Sequence, residues 1–166
     1  MTNSKLTVKE MALLAIMGAL MFASQVAMAS LPNIHIVALL IILTTFMFGW
    51  KALYSVGLFV LLEGLMFGFA PWWIGYIYAW PLLVVVTVIF RANTAPLFWA
   101  VVSGLHGLSF GALCAIPQIF ILGGRGALAW WISGIPFDLV HCAGNFVIAL
   151  VLIKPLRKLT EKLMKN

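Results

Sequence analysis

The sequence predicts an all-α membrane protein, a bundle of six transmembrane helices with both termini cytoplasmic, forming a single domain over residues 1–166. Three observations carry that prediction. First, 64% of the 166 residues are hydrophobic and 8% charged, and the mean hydropathy of +1.15 is far too apolar for a soluble globule. Second, six apolar stretches lie near 10–29, 35–50, 52–70, 72–90, 96–121 and 127–153. Each is close to the length that crosses ~30 Å of hydrocarbon as helix. Third, the charge is asymmetric. With a cytoplasmic N-terminus, Lys5, Lys9, Lys51, Arg91, Lys154, Arg157, Lys158, Lys162 and Lys165 fall inside and Arg125 outside.

That asymmetry explains the net charge of +6 without nucleic acid, and the basic tail after Lys154 suits anionic lipid. Almost nothing is left for a soluble domain, so any nucleotide hydrolysis falls to a partner. Cys114 and Cys142 lie inside apolar stretches without metal-ligand spacing and read as buried thiols. Neither a metal nor a cofactor is expected.

The first stretch follows a basic start and ends in Ala27-Met28-Ala29-Ser30, which resembles a signal-peptidase site. Its apolar run is long for a signal peptide and reads as a membrane helix. Ala15, Ala19, Ala23 and Ala27 recur every four residues beside Gly18, a flat stripe suited either to internal packing or to a separate subunit. Pro32 breaks the helix in the first external turn, where Asn33 and His35 bring polar groups to the mouth of the bundle. The second stretch closes at Gly49-Trp50-Lys51, and the third carries Glu63 inside FVLLEGLMFG. A carboxylate in hydrocarbon persists only when paired or facing water, so Glu63 is a candidate for function.

The fourth stretch begins with PWWIGYIYAWP, Pro71 to Pro81. On a helix Trp73, Tyr76 and Trp80 fall within about 60° of each other, an aromatic wall two turns deep, whereas Trp72 and Tyr78 point elsewhere as interfacial anchors. The fifth stretch places Ser103, Gly107, Phe110, Cys114 and Gln118 on one face. Pro117 kinks it, so Gln118 is expected to line a pocket and the deeper His106 to bond between helices. The third external turn holds Arg125, Trp130 and Trp131. In the sixth stretch Asp138, His141 and Asn145 share a face at spacings of three and four, the mark of an internal polar stripe.

Six helices, cytoplasmic termini and an alanine-striped first helix in KLTVKEMALLAIMGALMFA, Lys5 to Ala23, resemble the S components of energy-coupling factor (ECF) transporters. These are the substrate-binding subunits of a vitamin-importing class of ABC transporter. The resemblance implies that Ala15 and Ala19, with Ala23 continuing the stripe, form the Ala-x-x-x-Ala face that docks on a transmembrane T component. It implies that Ser30 to Ile34 gate an outward pocket, and that two partner ATPases drive release inside, the chain itself being no enzyme. From the residues themselves, the expected substrate site is Asn33, His35, Glu63, Trp73, Tyr76, Gln118, Trp131, Asp138 and Asn145. Aromatic faces with carboxylates suit a nitrogen heterocycle such as a B vitamin. Two other readings stay open: an intramembrane enzyme using Asp138 and His141 on a lipid-like substrate, and a structural assembly protein.

Overall fold

A computed structural model describes residues 5–165 of the chain, with side chains through residue 162; Lys165 of the basic set therefore lies outside the described side chains. The described chain is helical, with α1 (Val8–Ala27), α2 (Val37–Phe48), α3 (Ala52–Phe67), α4 (Pro71–Phe90), α5 (Pro96–Ala115) and α6 (Gln118–Lys165). Five segments are long and apolar enough to cross a membrane, with α2 and α3 counted as one continuous segment from Val37 to Phe67. That segment is not a rod. Gly49 (φ 57°, ψ −131°) leaves the helical region and a single 3-10 turn follows at Gly49–Lys51. His35, just before α2, and Phe67, at the end of α3, line one cavity, so the chain reverses at this turn.

Local chemistry sets the ends. Thr7 and Glu10 form a reciprocal capping box at the start of α1. Pro71 and Pro96 open α4 and α5 at positions where the missing amide costs nothing. The fifth helix stops at Ala115, six residues short of the expected 121, because Pro117 excludes its predecessor from regular helix. Helix resumes at Gln118 and is interrupted at Gly123 (φ 69°, ψ 170°), so the last element begins earlier and runs further than the expected 127–153.

The second helix is the axis of the bundle and packs on α1, α3, α4 and α6. It is apolar on all sides, and Val37, Ala38, Leu39, Ile41, Ile42 and Leu43 are all buried. Thr44 and Thr45 are tolerated there because their hydroxyls donate to the Leu40 and Ile41 carbonyls at 2.7 Å. The first helix buries Leu14, Gly18 and Met21 against α3, and a Cβ on Gly18 would stand 2.7 Å from the Ser55 carbonyl oxygen. The alanines are not part of this contact: Ala15, Ala19, Ala23 and Ala27 are all exposed on the other side of α1.

Basic groups gather at one end of the bundle. Lys51 Nζ lies 2.7 Å from Glu10 Oε1, and Arg157 donates to the Asn93 carbonyl at 2.8 Å while its guanidinium covers the Phe46 ring at 4.4 Å. The turn between α1 and α2, and that between α3 and α4, lie at the other end.

Candidate functional site

A cavity of about 320 Å³ occupies that second end. Every helix except α2 contributes a side chain to it: Gln25 from α1, Glu63 and Phe67 from α3, Trp72 and Tyr76 from α4, Phe110 from α5 and His141 from α6. The segment from Met28 to His35 closes it from the α1–α2 side. This segment turns tightly, with Leu31 N–H donating to the Met28 carbonyl at 2.8 Å, and Asn33 adopts φ 58°. Asparagine tolerates that left-handed conformation better than most residues with a Cβ. The segment rests against α6 at Gly144, where a Cβ would meet Ile34 at 3.5 Å.

The wall is aromatic. Trp72 meets Tyr76 edge to face at 5.0 Å, and Tyr76 meets Phe110 at 5.5 Å. Beneath them Trp80 is fully buried among Phe59, Tyr76, His35, His106 and Phe110. A polar cluster adjoins the wall, Gln25 reaching Tyr76 and the His141 ring standing 5.2 Å from Phe110. Glu63 is 2% exposed, and its Oε2 accepts a hydrogen bond from Gln25 Nε2 at 3.0 Å. The same amide reaches the Tyr76 hydroxyl at 3.5 Å. The His35 and His141 rings stand 4.9 Å apart, edge to face. Burial first, and the neighbouring His106 second, push His35 down to about 4, so its ring is neutral at physiological pH.

Four buried atoms of this cluster lack a hydrogen-bond partner among the described residues: Gln25 Oε1, Glu63 Oε1, His35 Nδ1 and His141 Nε2. An unpaired polar group in a dry interior costs about 1–3 kcal/mol. All four belong to residues that line the cavity. No group of three or more His, Cys, Asp or Glu among the described residues could hold a metal ion.

Comparison of the chain with protein-family models, curated proteins and solved structures gives no match. The functional reading therefore rests on the site's own chemistry.

Of the residues expected from sequence, the cavity collects Asn33, His35, Glu63 and Tyr76 and does not collect the other five. Trp73 turns toward α3, where its Nε1 donates to the Val60 carbonyl at 2.7 Å and its ring meets Phe69 at 4.9 Å. Trp72 takes its place on the cavity wall, and Tyr78, the other expected anchor, donates its hydroxyl to the Leu113 carbonyl at the end of α5. Gln118 is buried at the start of α6, away from the cavity. Trp131 lines two apolar cavities on the α5–α6 side. Asp138 Oδ1 accepts from the Gly111 N–H at 3.0 Å, and Asn145 donates to the Ser103 carbonyl at 3.3 Å, so both tie α6 to α5. His106 bonds between helices as its depth suggests, with Nε2 3.0 Å from the Ala79 carbonyl.

The site expected from sequence did not include Gln25, Trp72, Phe110 and His141, although the polar stripe already named His141. Gln25 carried a usable signal, a lone amide in an otherwise apolar segment of α1. His141 carried one too, since it stands on the same helix face as Asp138 and Asn145 and all three are buried.

Proposed function

We propose that the chain is the substrate-binding subunit of an ECF-type importer in a prokaryotic plasma membrane, taking up a vitamin-like nitrogen heterocycle from outside. The observation that carries this reading is the cavity itself, lined by an aromatic wall and by four residues that each keep an unpartnered polar atom. Its volume of about 320 Å³ is at the small end of ligand pockets and suits one or two fused rings rather than a macrocycle. In this reading the chain crosses the membrane six times, α2 and α3 forming a hairpin, with both termini inside. The positive-inside rule then puts the basic end in the cytoplasm and the cavity on the outside.

The exposed alanines support a docking role. Ala15, Ala19, Ala23 and Ala27 leave a smooth strip on α1 that the bundle does not use, while internal packing runs along Leu14, Gly18 and Met21. A T component approaching that strip, energised by two cytoplasmic ATPases, is the partner proposed here. The contacts favour binding over the enzyme reading: Asp138 is bonded to the Gly111 amide, and the His141 ring stands against His35.

Measuring binding and uptake separately on Ala15→Leu tests the assignment. The expected result is intact substrate binding with uptake lost when the variant is co-expressed with a T component and ATPases. Uptake equal to that of the unaltered protein would overturn the docking face.

A further inference from the structure

The polar cluster constrains the ligand more tightly than "nitrogen heterocycle", and the inference here rests on the binding-subunit reading above. On the side of α1 and α3, both unpartnered atoms are acceptors. Gln25 spends its two N–H donors on Glu63 Oε2 and the Tyr76 hydroxyl, which leaves Gln25 Oε1 and, with Glu63 ionised, Glu63 Oε1 as two unpaired acceptors on residues that line the cavity. On the side of the first turn and α6, the unpartnered atoms are imidazole nitrogens, His35 Nδ1 and His141 Nε2, each able to accept or donate. Trp72, Tyr76 and Phe110 line the same cavity and offer ring faces and edges to a flat ligand.

We infer that the cavity takes a planar heterocycle with a donor edge, a ring N–H beside an exocyclic amino group, directed at Glu63 and Gln25, and with a carbonyl or ring nitrogen directed at His35 and His141. An oxo group in place of the amino group sets acceptor against acceptor at Glu63. In a buried site such a mismatch costs far more than a lost contact, because the carboxylate oxygen stays unpaired. The amino-for-oxo exchange is therefore the step at which the site discriminates. Gln25 is a specificity residue in the same sense, since it holds Glu63 Oε2 and so leaves Oε1 as the atom that reads the ligand.

The test uses the full chain in lipid nanodiscs and matched probes that exchange the exocyclic amino group for an oxo group: 2-amino-4-oxopteridine against 2,4-dioxopteridine, and guanine against xanthine. Binding is followed by calorimetry and by the fluorescence of the indoles at the site. The expected result is that the amino member of each pair binds about tenfold or more tightly than its oxo partner. Glu63→Gln, which keeps shape and adds a donor, should reduce that preference to near unity, and Gln25→Leu provides a second variant if the first does not fold. Equal affinity within both pairs would overturn the donor-edge assignment. So would a ligand identified by mass spectrometry in the purified protein that has a flat ring but no donor edge, and that result would leave the binding-subunit reading standing. Failure of every planar probe to bind, together with no retained small molecule, would overturn both.

Discussion

Two sets of buried polar side chains run through this bundle, and they differ in what they leave unfinished. In the seam between α5 and its neighbours, Asp138, Asn145 and His106 each end on the backbone of another helix: the Gly111 amide, the Ser103 carbonyl and the Ala79 carbonyl. In the cavity, Gln25 and Glu63 bond each other, His35 and His141 touch edge to face, and each of the four residues lines one shared space while keeping an unpartnered polar atom. The seam set contains its own unpaired atom, His106 Nδ1, but His106 does not line the cavity. The comparison teaches that polarity in a membrane helix does not itself mark a binding site. Where the polar atom terminates does.

Exchanging one residue from each set breaks the comparison most severely. Glu63→Ala is expected to lower ligand affinity about a hundredfold or more with little change in the thermal midpoint, because removing the unpaired Oε1 offsets the lost bond to Gln25. Asp138→Ala should instead cost ~1–3 kcal/mol of stability through its lost bonds to the Gly111 amide and the Trp131 indole, and change affinity by less than about threefold. Calorimetry and thermal unfolding of both proteins in one detergent decide the matter.

Gly107→Ala ties the two regions together. A Cβ there would lie 2.8 Å from the backbone carbonyl of His141, so α6 must move and carry a cavity residue with it. Overpacking of this kind costs ~1–3 kcal/mol, and here a drop in affinity should accompany the loss of stability. A smaller effect separates the adjacent tryptophans. Trp72→Ala should weaken binding about tenfold with little change in stability, whereas Trp73→Ala should destabilise the protein through the lost bond to Val60 with affinity within about threefold of the parent.

The smallest effect is the pH dependence of His35. Its folded value of about 4 lies below the ordinary 6.5, so the unfolded chain binds the proton first. Its contribution is full above pH 6.5 and is lost as pH falls toward 4. His35→Gln should flatten thermal stability across that interval, as scanning at half-unit steps would show.

The helical, membrane-spanning character of the chain was legible because hydropathy and charge asymmetry are summed over many residues and tolerate local error. The ends were less legible. Pro117 and Gly123 break the helix near 121, but the sequence does not say on which side of them it resumes. Within the site, Glu63, His35, Asn33 and Tyr76 were readable because each is costly or unusual where it stands. Trp72 and Trp73 were exchanged because the helical wheel gives the angle between side chains and not the direction of the neighbouring helices. Asp138, His141 and Asn145 share a face, but His141 stands about 40–60° to one side of the other two. The first and last meet α5 backbone, and the middle one meets the cavity. Which edge of a shared face meets which neighbour is fixed by packing, which a single sequence does not state.

Native mass spectrometry of the protein purified from cells grown in rich medium tests the central claim most directly, with Glu63→Ala and Asp138→Ala prepared in parallel. The account predicts a small planar heterocycle retained by the unaltered protein and by Asp138→Ala and absent from Glu63→Ala. A ligand retained equally by Glu63→Ala, or no ligand in any of the three, would contradict it.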